Sequence, residues 1–214
     1  VIGGGPAGSS VSAILAEYGH KVLVLEREKF PRYHVGESLL PFTYQPLERL
    51  GMIPKMKASH FVKKYSGAFV RKDGTGAVPF YFFSRYDRET VAQTWQVLRS
   101  EFDLLMLNNA REHGVDVHEG VRVREVLFDG DRAVGVKVQY EDGRQEEVSA
   151  KVVVDASGQS AMIGSRFNLL EKDQKLMKGA VWTYYKGAFR DTGKDSGATL
   201  VLQTKGKKGW FWYI

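Results

Sequence analysis

Val1-Ile-Gly-Gly-Gly-Pro-Ala-Gly8, followed by an amphipathic run and then by Val22-Leu-Val-Leu-Glu26, is the stretch that decides the fold. Gly3, Gly5 and Gly8 stand at the G-x-G-x-x-G spacing. The first glycine allows a sharp turn out of a strand, the second lets backbone approach a pyrophosphate, and the third lets the next helix lie close to the sheet. Ala7, Val11, Ile14, Leu15 and Tyr18 recur at three- and four-residue steps, which predicts a helix with these residues on one face, ended at Gly19. Glu26 closes the second strand 18 residues beyond Gly8. That is near the roughly 20 at which a carboxylate meets the hydroxyls of an adenosine ribose. Glycines at this spacing are weak on their own; strand, turn, helix, strand and acid in order are the context the fingerprint requires. The chain therefore reads as α/β, with a Rossmann-like parallel sheet that holds a dinucleotide at Gly3, Gly5, Pro6, Ala7, Gly8 and Glu26.

Working outward, a polar loop over 27–38 leads to a helical pattern through Leu39, Leu40, Leu47 and Leu50, with Ser38 placed to cap it. Residues 61–86 are rich in aromatic and β-branched side chains around Asp73-Gly74, which predicts two strands and a turn. Val91, Trp95, Leu98, Phe102, Leu105 and Asn109 step at close to 3.6 residues, predicting a helix from Arg88 to Gly114 on which Arg99 and Asp103 are spaced to pair. Strands are expected over 115–118, 121–128, 134–140 and 148–154, with turns at Asp129-Gly130 and Asp142-Gly143. Lys151-Val-Val-Val-Asp155-Ala-Ser-Gly158 lacks alternation and reads as a fully buried parallel strand. Its small-residue turn would bring Asp155 and Gly158 to the same cofactor as the first turn. Further antiparallel strands over 179–190, 198–204 and 210–214 would join 61–86 in one sheet. The division expected is a nucleotide-binding part at 1–60 and 87–175, and an inserted antiparallel substrate region at 61–86 and 176–214.

Composition bounds the function. At 214 residues and 43% hydrophobic content, the chain can bury a real core. The net charge of +6 is scattered, and Lys205, Lys207 and Lys208 read as a solvated turn between strands. With no nucleic-acid motif beside that charge, nucleic acid is not an expected partner. No apolar stretch approaches the roughly 20 residues that span a bilayer, so no membrane partner is expected, and the cytoplasm is the expected compartment. Zero cysteines exclude disulfides and thiolate chemistry, and five histidines without ligand spacing, His34 among them, predict no metal. With only Val1 and Ile2 before the first glycine and an aromatic strand at the other end, the chain reads as a fragment.

Four segments resemble one family, the FAD-dependent halogenases, which share a glutathione-reductase-like fold with the flavoprotein hydroxylases. Gly3-Gly-Gly-Pro-Ala-Gly8 with Glu26 resembles the FAD fingerprint, and His34-Val-Gly-Glu-Ser-Leu-Leu-Pro41 a loop of the branch acting on phenols or pyrroles. Phe61-Val-Lys-Lys-Tyr-Ser-Gly67 is similar to the stretch bearing the family's essential lysine, and Trp210-Phe-Trp-Tyr-Ile214 to its W-x-W-x-I-P signature, the final proline lying past Ile214. The resemblance implies that reduced FAD from a separate flavin reductase, with oxygen and chloride or bromide, yields hypohalous acid. A lysine then guides halogenation of a small electron-rich aromatic substrate, free or tethered to a carrier protein. Lys64 is the lysine it implies, with Lys63 the neighbour, since only one of two successive strand residues faces inward.

The same resemblance casts Trp210 and Trp212 as the wall separating flavin from substrate, and Gly36, Glu37 and Ser38 as a loop along the flavin edge. Arg99 resembles an FAD-contacting arginine of the wider class. Two alternatives are a flavin hydroxylase or isoprenoid reductase of the same fold, and a nonenzymatic flavin-binding protein. Core filling is the plain alternative for the two tryptophans.

Overall fold

The computed structural model describes residues 1–71, 73, 74, 76–84, 92–206 and 208–214. In chain order the elements are α1 (Pro6–Glu17), β1 (Leu23–Glu26), α2 (Tyr44–Arg49), α3 (Ile53–Ala58), β2 (Val62–Lys64), β3 (Ser66–Val70), β4 (Ala77–Tyr81) and β5 (Thr94–Gln96). They continue with α4 (Arg99–Glu112), β6 (Asp116–Glu119), β7 (Val121–Asp129), β8 (Arg132–Tyr140), β9 (Gln145–Ser149), α5 (Met162–Arg166), β10 (Thr199–Gln203) and β11 (Trp210–Tyr213). Two compact units result, Val1–Tyr33 with Ser100–Thr183 and His34–Arg99 with Tyr184–Ile214. These lines fall elsewhere than the functional boundaries drawn from sequence, which concern what each part binds.

In the first unit β1 pairs in parallel with β6, Leu23 opposite Asp116 and Glu26 opposite Glu119. Ile2 makes parallel bridges to Leu25 and Asp155. Its N–H donates to the Val154 carbonyl at 2.9 Å, and its carbonyl accepts from Ala156 N–H at 3.0 Å. Four parallel segments thus lie in the order β6, β1, 1–3, 153–156, with the glycine turn leading into α1. The Rossmann-like sheet expected from the opening is present. Beside it β7, β8 and β9 form an antiparallel sheet through two tight hairpins. Val121, Val126, Val136 and Val138 pack with Ile2 and Leu25 into one core.

Two expectations for this unit are corrected. Gly8, Ser9, Ser12 and Ala13 are the buried face of α1, whereas Ala7 is exposed and Tyr18 is 72% exposed. A helix drawn this close to a sheet accepts only small side chains beneath it, so apolar periodicity pointed to the wrong face. The apolar run 151–154 forms no continuous strand: β9 ends at Ser149, and Val152 is 74% exposed. Among the described residues only Ile2 bridges the segment, at Asp155, and an apolar run is buried only where elements cover both of its faces.

In the second unit β11, β10, β3 and β4 form one sheet in that order. The predicted union of 61–86 with the last two strands therefore holds for β3 and β4, though β10 and β3 run parallel. β2 instead pairs with β5. Tyr44 stacks on Trp95 with ring planes 13° apart, and Met52, Met56 and Val97 are likewise buried.

The helix expected from Arg88 begins only at Arg99; Arg88 and Val91 lie outside the described residues, as does Lys207 of the basic turn. Thr94–Gln96 is a strand, because its backbone is taken on both sides: β2 pairs along one edge, and on the other Leu39 N–H donates to the Trp95 carbonyl at 3.1 Å. Three residues of period two happened to fit a period of 3.6. Residues 179–190 form no strand; Val181, Tyr185 and Phe189 stand exposed, with no strand edge paired to them. Ser38 caps no helix, for the next turn starts at Pro41 and Ser38 bridges Gln96 instead.

Candidate active site

The glycine turn is built by contact. Gly3 has φ +96°, and a Cβ there would lie 2.6 Å from the Ala156 carbonyl oxygen; a Cβ on Gly8 would lie 1.9 Å from that of Gly3. Both are impossible distances, so turn, helix and the 153–156 segment lock together only with glycine. At Gly5 a Cβ would meet nothing closer than the Arg32 guanidinium, 3.6 Å away. Gly5 is also the N-cap of α1 and offers no side-chain cap, with Pro6 in the first turn. The free N–H groups of a helix start and an open backbone approach are what a pyrophosphate requires. Ala7 follows, exposed, in the same turn.

Glu26 is 5% exposed, and its two oxygens accept from Gly4 N–H at 2.7 Å and Glu28 N–H at 2.9 Å. Its carboxylate is thus fixed at the end of β1, beside the turn it grips. Asp155 accepts from the N–H groups of Ser157 at 3.0 Å and Ile163 at 2.8 Å. Burial raises its carboxyl, but hydrogen bonds from Ser157 and Ile163 outweigh that and hold it below the usual range. Asp155 therefore shapes the second turn, in which Gly158 lies exposed.

Sequence reasoning missed Arg32. Its side chain is 11% exposed, its Nη1 donates to Asp103 at 2.9 Å, its Nε lies 3.2 Å from Glu28, and it stacks over Phe30. One face of the fork so held is the nearest group to Gly5. The signal available was Asp103, an acid on the buried face of a helix, which demands a cation.

In the second unit, Lys64 lies opposite Thr94, Val62 opposite Gln96, and Ser38 across the other edge from Gln96. Residues opposite one another, or two apart on a strand, share a face. Ser38, Thr94, Gln96 and Lys64 therefore project together, and Lys63 projects the other way. Lys64 is 4% exposed, while Lys63 is exposed. The Lys64 ammonium donates to Ser38 Oγ at 2.8 Å and to the Leu39 carbonyl at 3.3 Å, with the Phe82 ring 5.6 Å away. Burial lowers it from 10.5 to about 8. It remains a cationic donor at neutral pH, yet one within reach of deprotonation.

Gly36 has φ +118°, and a Cβ there would lie 2.8 Å from Arg99 Nη1, which donates to the Val35 carbonyl at 2.7 Å. Arg99 thus braces the loop that carries Glu37 and Ser38. Glu37 accepts from Gly36 N–H at 2.9 Å and Tyr184 OH at 3.1 Å. Trp210 and Trp212 alternate on β11 and share a face, 53% and 56% exposed. Core filling does not describe them within this unit. Among the described residues no cluster of three or more His, Cys, Asp or Glu is arranged to hold a metal ion, and no helix is long and apolar enough to cross a membrane.

Comparison with known proteins gives the family. The flavin-dependent halogenase armH3 of Armillaria mellea is 39% identical over all of this chain and 43% of its own length. The 1H-pyrrole-2-carbonyl-[peptidyl-carrier protein] chlorinase of Pseudomonas fluorescens is 34% identical over 92% of this chain and 47% of its own. The solved structure of the myxobacterial chondrochloren halogenase CndH, a variant of FAD-dependent halogenases, superposes with a TM-score of 0.81 at 34% identity, covering 100% of this chain and 48% of that one. The chain thus spans less than half the length of these relatives. The family model of the FAD binding domain matches residues 1–207, so the chain belongs to the FAD binding domain family, among relatives that are flavin-dependent halogenases.

Proposed function

We propose that the protein is a halogenase that uses reduced FAD, oxygen and chloride or bromide to make hypohalous acid, and directs it by Lys64 onto an electron-rich aromatic substrate of phenol or pyrrole type. The observation that carries this reading is a lysine ammonium 4% exposed, held by a hydroxyl and a carbonyl, with no carboxylate paired to it among the described residues. A purely structural buried cation is normally paired. One with no ionic partner among the described residues supports a donor role toward a ligand.

FAD, when bound, supplies the reducing equivalents that activate oxygen. Residues 1–60 and 87–175 would hold it: Gly3, Gly5, Pro6, Ala7 and Gly8 at the pyrophosphate, Glu26 at the ribose, Arg32 adding positive charge beside Gly5, and Asp155 with Gly158 shaping the second turn. Gly36, Glu37, Ser38 and Arg99 would serve the flavin edge. Residues 61–86 and 176–214 would hold substrate. There the Lys64 ammonium donates to the oxygen of hypohalous acid and polarises its bond to halogen. The aromatic carbon takes the halogen, the departing oxygen keeps the donated proton and leaves as water, and the ring proton then returns the amine to its charged form. Trp210 and Trp212 would exclude the organic substrate from the flavin. Partners are a halide ion, a separate flavin reductase in the cytoplasm, and a small aromatic that is free or carrier-tethered. The name of the pyrrolyl-carrier chlorinase favours including tethered substrates.

The test is to give the native protein that carries this chain reduced FAD, oxygen, bromide and a panel of phenols, pyrroles and indoles, and to look for brominated masses. Lys64→Ala is expected to abolish product while flavin reoxidation continues. Undiminished halogenation by that variant would falsify the lysine's role.

A further inference from the structure

Resting on the reading of Lys64 as the halogenating lysine, we propose that Ser38 and Thr199, anchored by Gln96, are positioning residues that fix the Lys64 ammonium and leave one of its N–H bonds for the oxidant. The four side chains form a continuous chain of contacts. Lys64 Nζ lies 2.8 Å from Ser38 Oγ, Ser38 Oγ lies 3.0 Å from Thr199 Oγ1, and Gln96 Nε2 lies 3.0 Å from both Thr199 Oγ1 and the Gly197 carbonyl.

Chemistry fixes the direction at both ends. The Gly197 carbonyl only accepts, so the Gln96 amide must present its nitrogen there, and the same nitrogen donates to Thr199. An ammonium only donates, so Ser38 Oγ accepts from Lys64. Ser38 is therefore held between a cation and a hydroxyl that is itself held, and its rotamer has no freedom to turn from Lys64. The Leu39 carbonyl takes a second ammonium hydrogen. The third has no acceptor among the described residues. Gln96 Oε1 is buried with no partner among the described residues.

Among the described residues, other charges near this chain have contacts of their own. β5 contributes none, Glu37 accepts from Gly36 N–H and Tyr184 OH, Lys194 lies over Phe83, and Asp195 accepts from Ser66 and Tyr81 hydroxyls. Burial draws Lys64 toward neutral pH.

The experiment compares Thr199→Val, which keeps the β-branched shape without the hydroxyl, with Thr199→Ser, which restores it, in the native protein with reduced FAD, bromide and a phenol it brominates. A weakened acceptor favours the neutral amine. Thr199→Val should move the alkaline midpoint of kcat down by about one pH unit, with KM and flavin reoxidation unchanged, and Thr199→Ser should return it. Gln96→Leu, which removes the donor that holds Thr199, should move the midpoint in the same direction and stands in if Thr199→Val does not bind FAD. A space-filling role would alter stability and leave the midpoint alone, so wild-type midpoints in these variants overturn the inference. Should Lys64→Ala still halogenate, the reading of the lysine has failed. Should it be inactive while Thr199→Val keeps the wild-type midpoint, only the positioning has failed.

Discussion

Replacing Lys64 by methionine tests the burial of its ammonium without reference to catalysis, because the new side chain is also unbranched and fills the same space. The fall from 10.5 to about 8, at 1.36 kcal/mol per pH unit, amounts to about 3 kcal/mol. The folded value is the lower one, so the unfolded chain binds the proton more tightly. Stability rises with pH wherever the unfolded state holds more protons. The penalty is thus complete below pH 8 and is relieved between 8 and 10.5. From pH 7 to pH 10 the wild type should recover about 2.5 kcal/mol that Lys64→Met has no means of recovering. Loss of the donors to Ser38 Oγ and the Leu39 carbonyl adds a cost of about 1–3 kcal/mol, which changes little with pH. The slope, not the value at one pH, is the diagnostic. Denaturant unfolding of both proteins at pH 7 and pH 10 measures it, since every other titrating group is common to both and cancels. A difference between the two proteins that stays within about 0.5 kcal/mol across that range refutes the burial argument.

Gly8→Ala places a methyl 1.9 Å from the Gly3 carbonyl oxygen, a backbone atom that yields only if the whole turn moves. We expect a loss of about 3 kcal/mol or more and weakened FAD binding, read by thermal unfolding with and without FAD; an alanine variant that binds FAD normally would contradict the close approach. Arg32→Met removes the 2.9 Å ion pair with Asp103, which is 0% exposed, and should cost about 3 kcal/mol, whereas Arg32→Met with Asp103→Asn should recover part of it. A double-mutant cycle returning a coupling near zero would show that the two side chains do not depend on each other.

The fold was legible where local signals agreed, and hidden where a tertiary partner decided. Gly3, Gly5, Gly8 and Glu26 sat in a complete strand, turn, helix and strand order, and the structure gives each a contact reason or an open approach. Trp95 was read as helical because Leu98 and Phe102 follow it at the right steps; only its flanking partners, 37–39 and β2, make it a strand. Val181, Tyr185 and Phe189 looked like strand residues by composition, but β-propensity describes a fit to neighbours, and no strand edge meets them. Arg32 was invisible because its meaning comes from Asp103, 71 residues away.

The same logic separates packing from function at the proposed site. Ser38 was expected to serve its own backbone, as serines before helices do, yet its hydroxyl meets an ammonium from β2 and a threonine from β10. For Trp210 and Trp212 core filling is the plain alternative to a wall, yet about half of each is exposed on an edge strand. A sequence that obeys local rules through its glycine turn and its hairpins departs from them at Lys64, Ser38, Gln96 and the two indoles. Departures of this kind carry a stability penalty, and they persist where a ligand or a reaction requires the arrangement. A buried ammonium held by neutral acceptors, with no carboxylate paired to it among the described residues, and two half-exposed indoles on one strand are not what core packing alone would select.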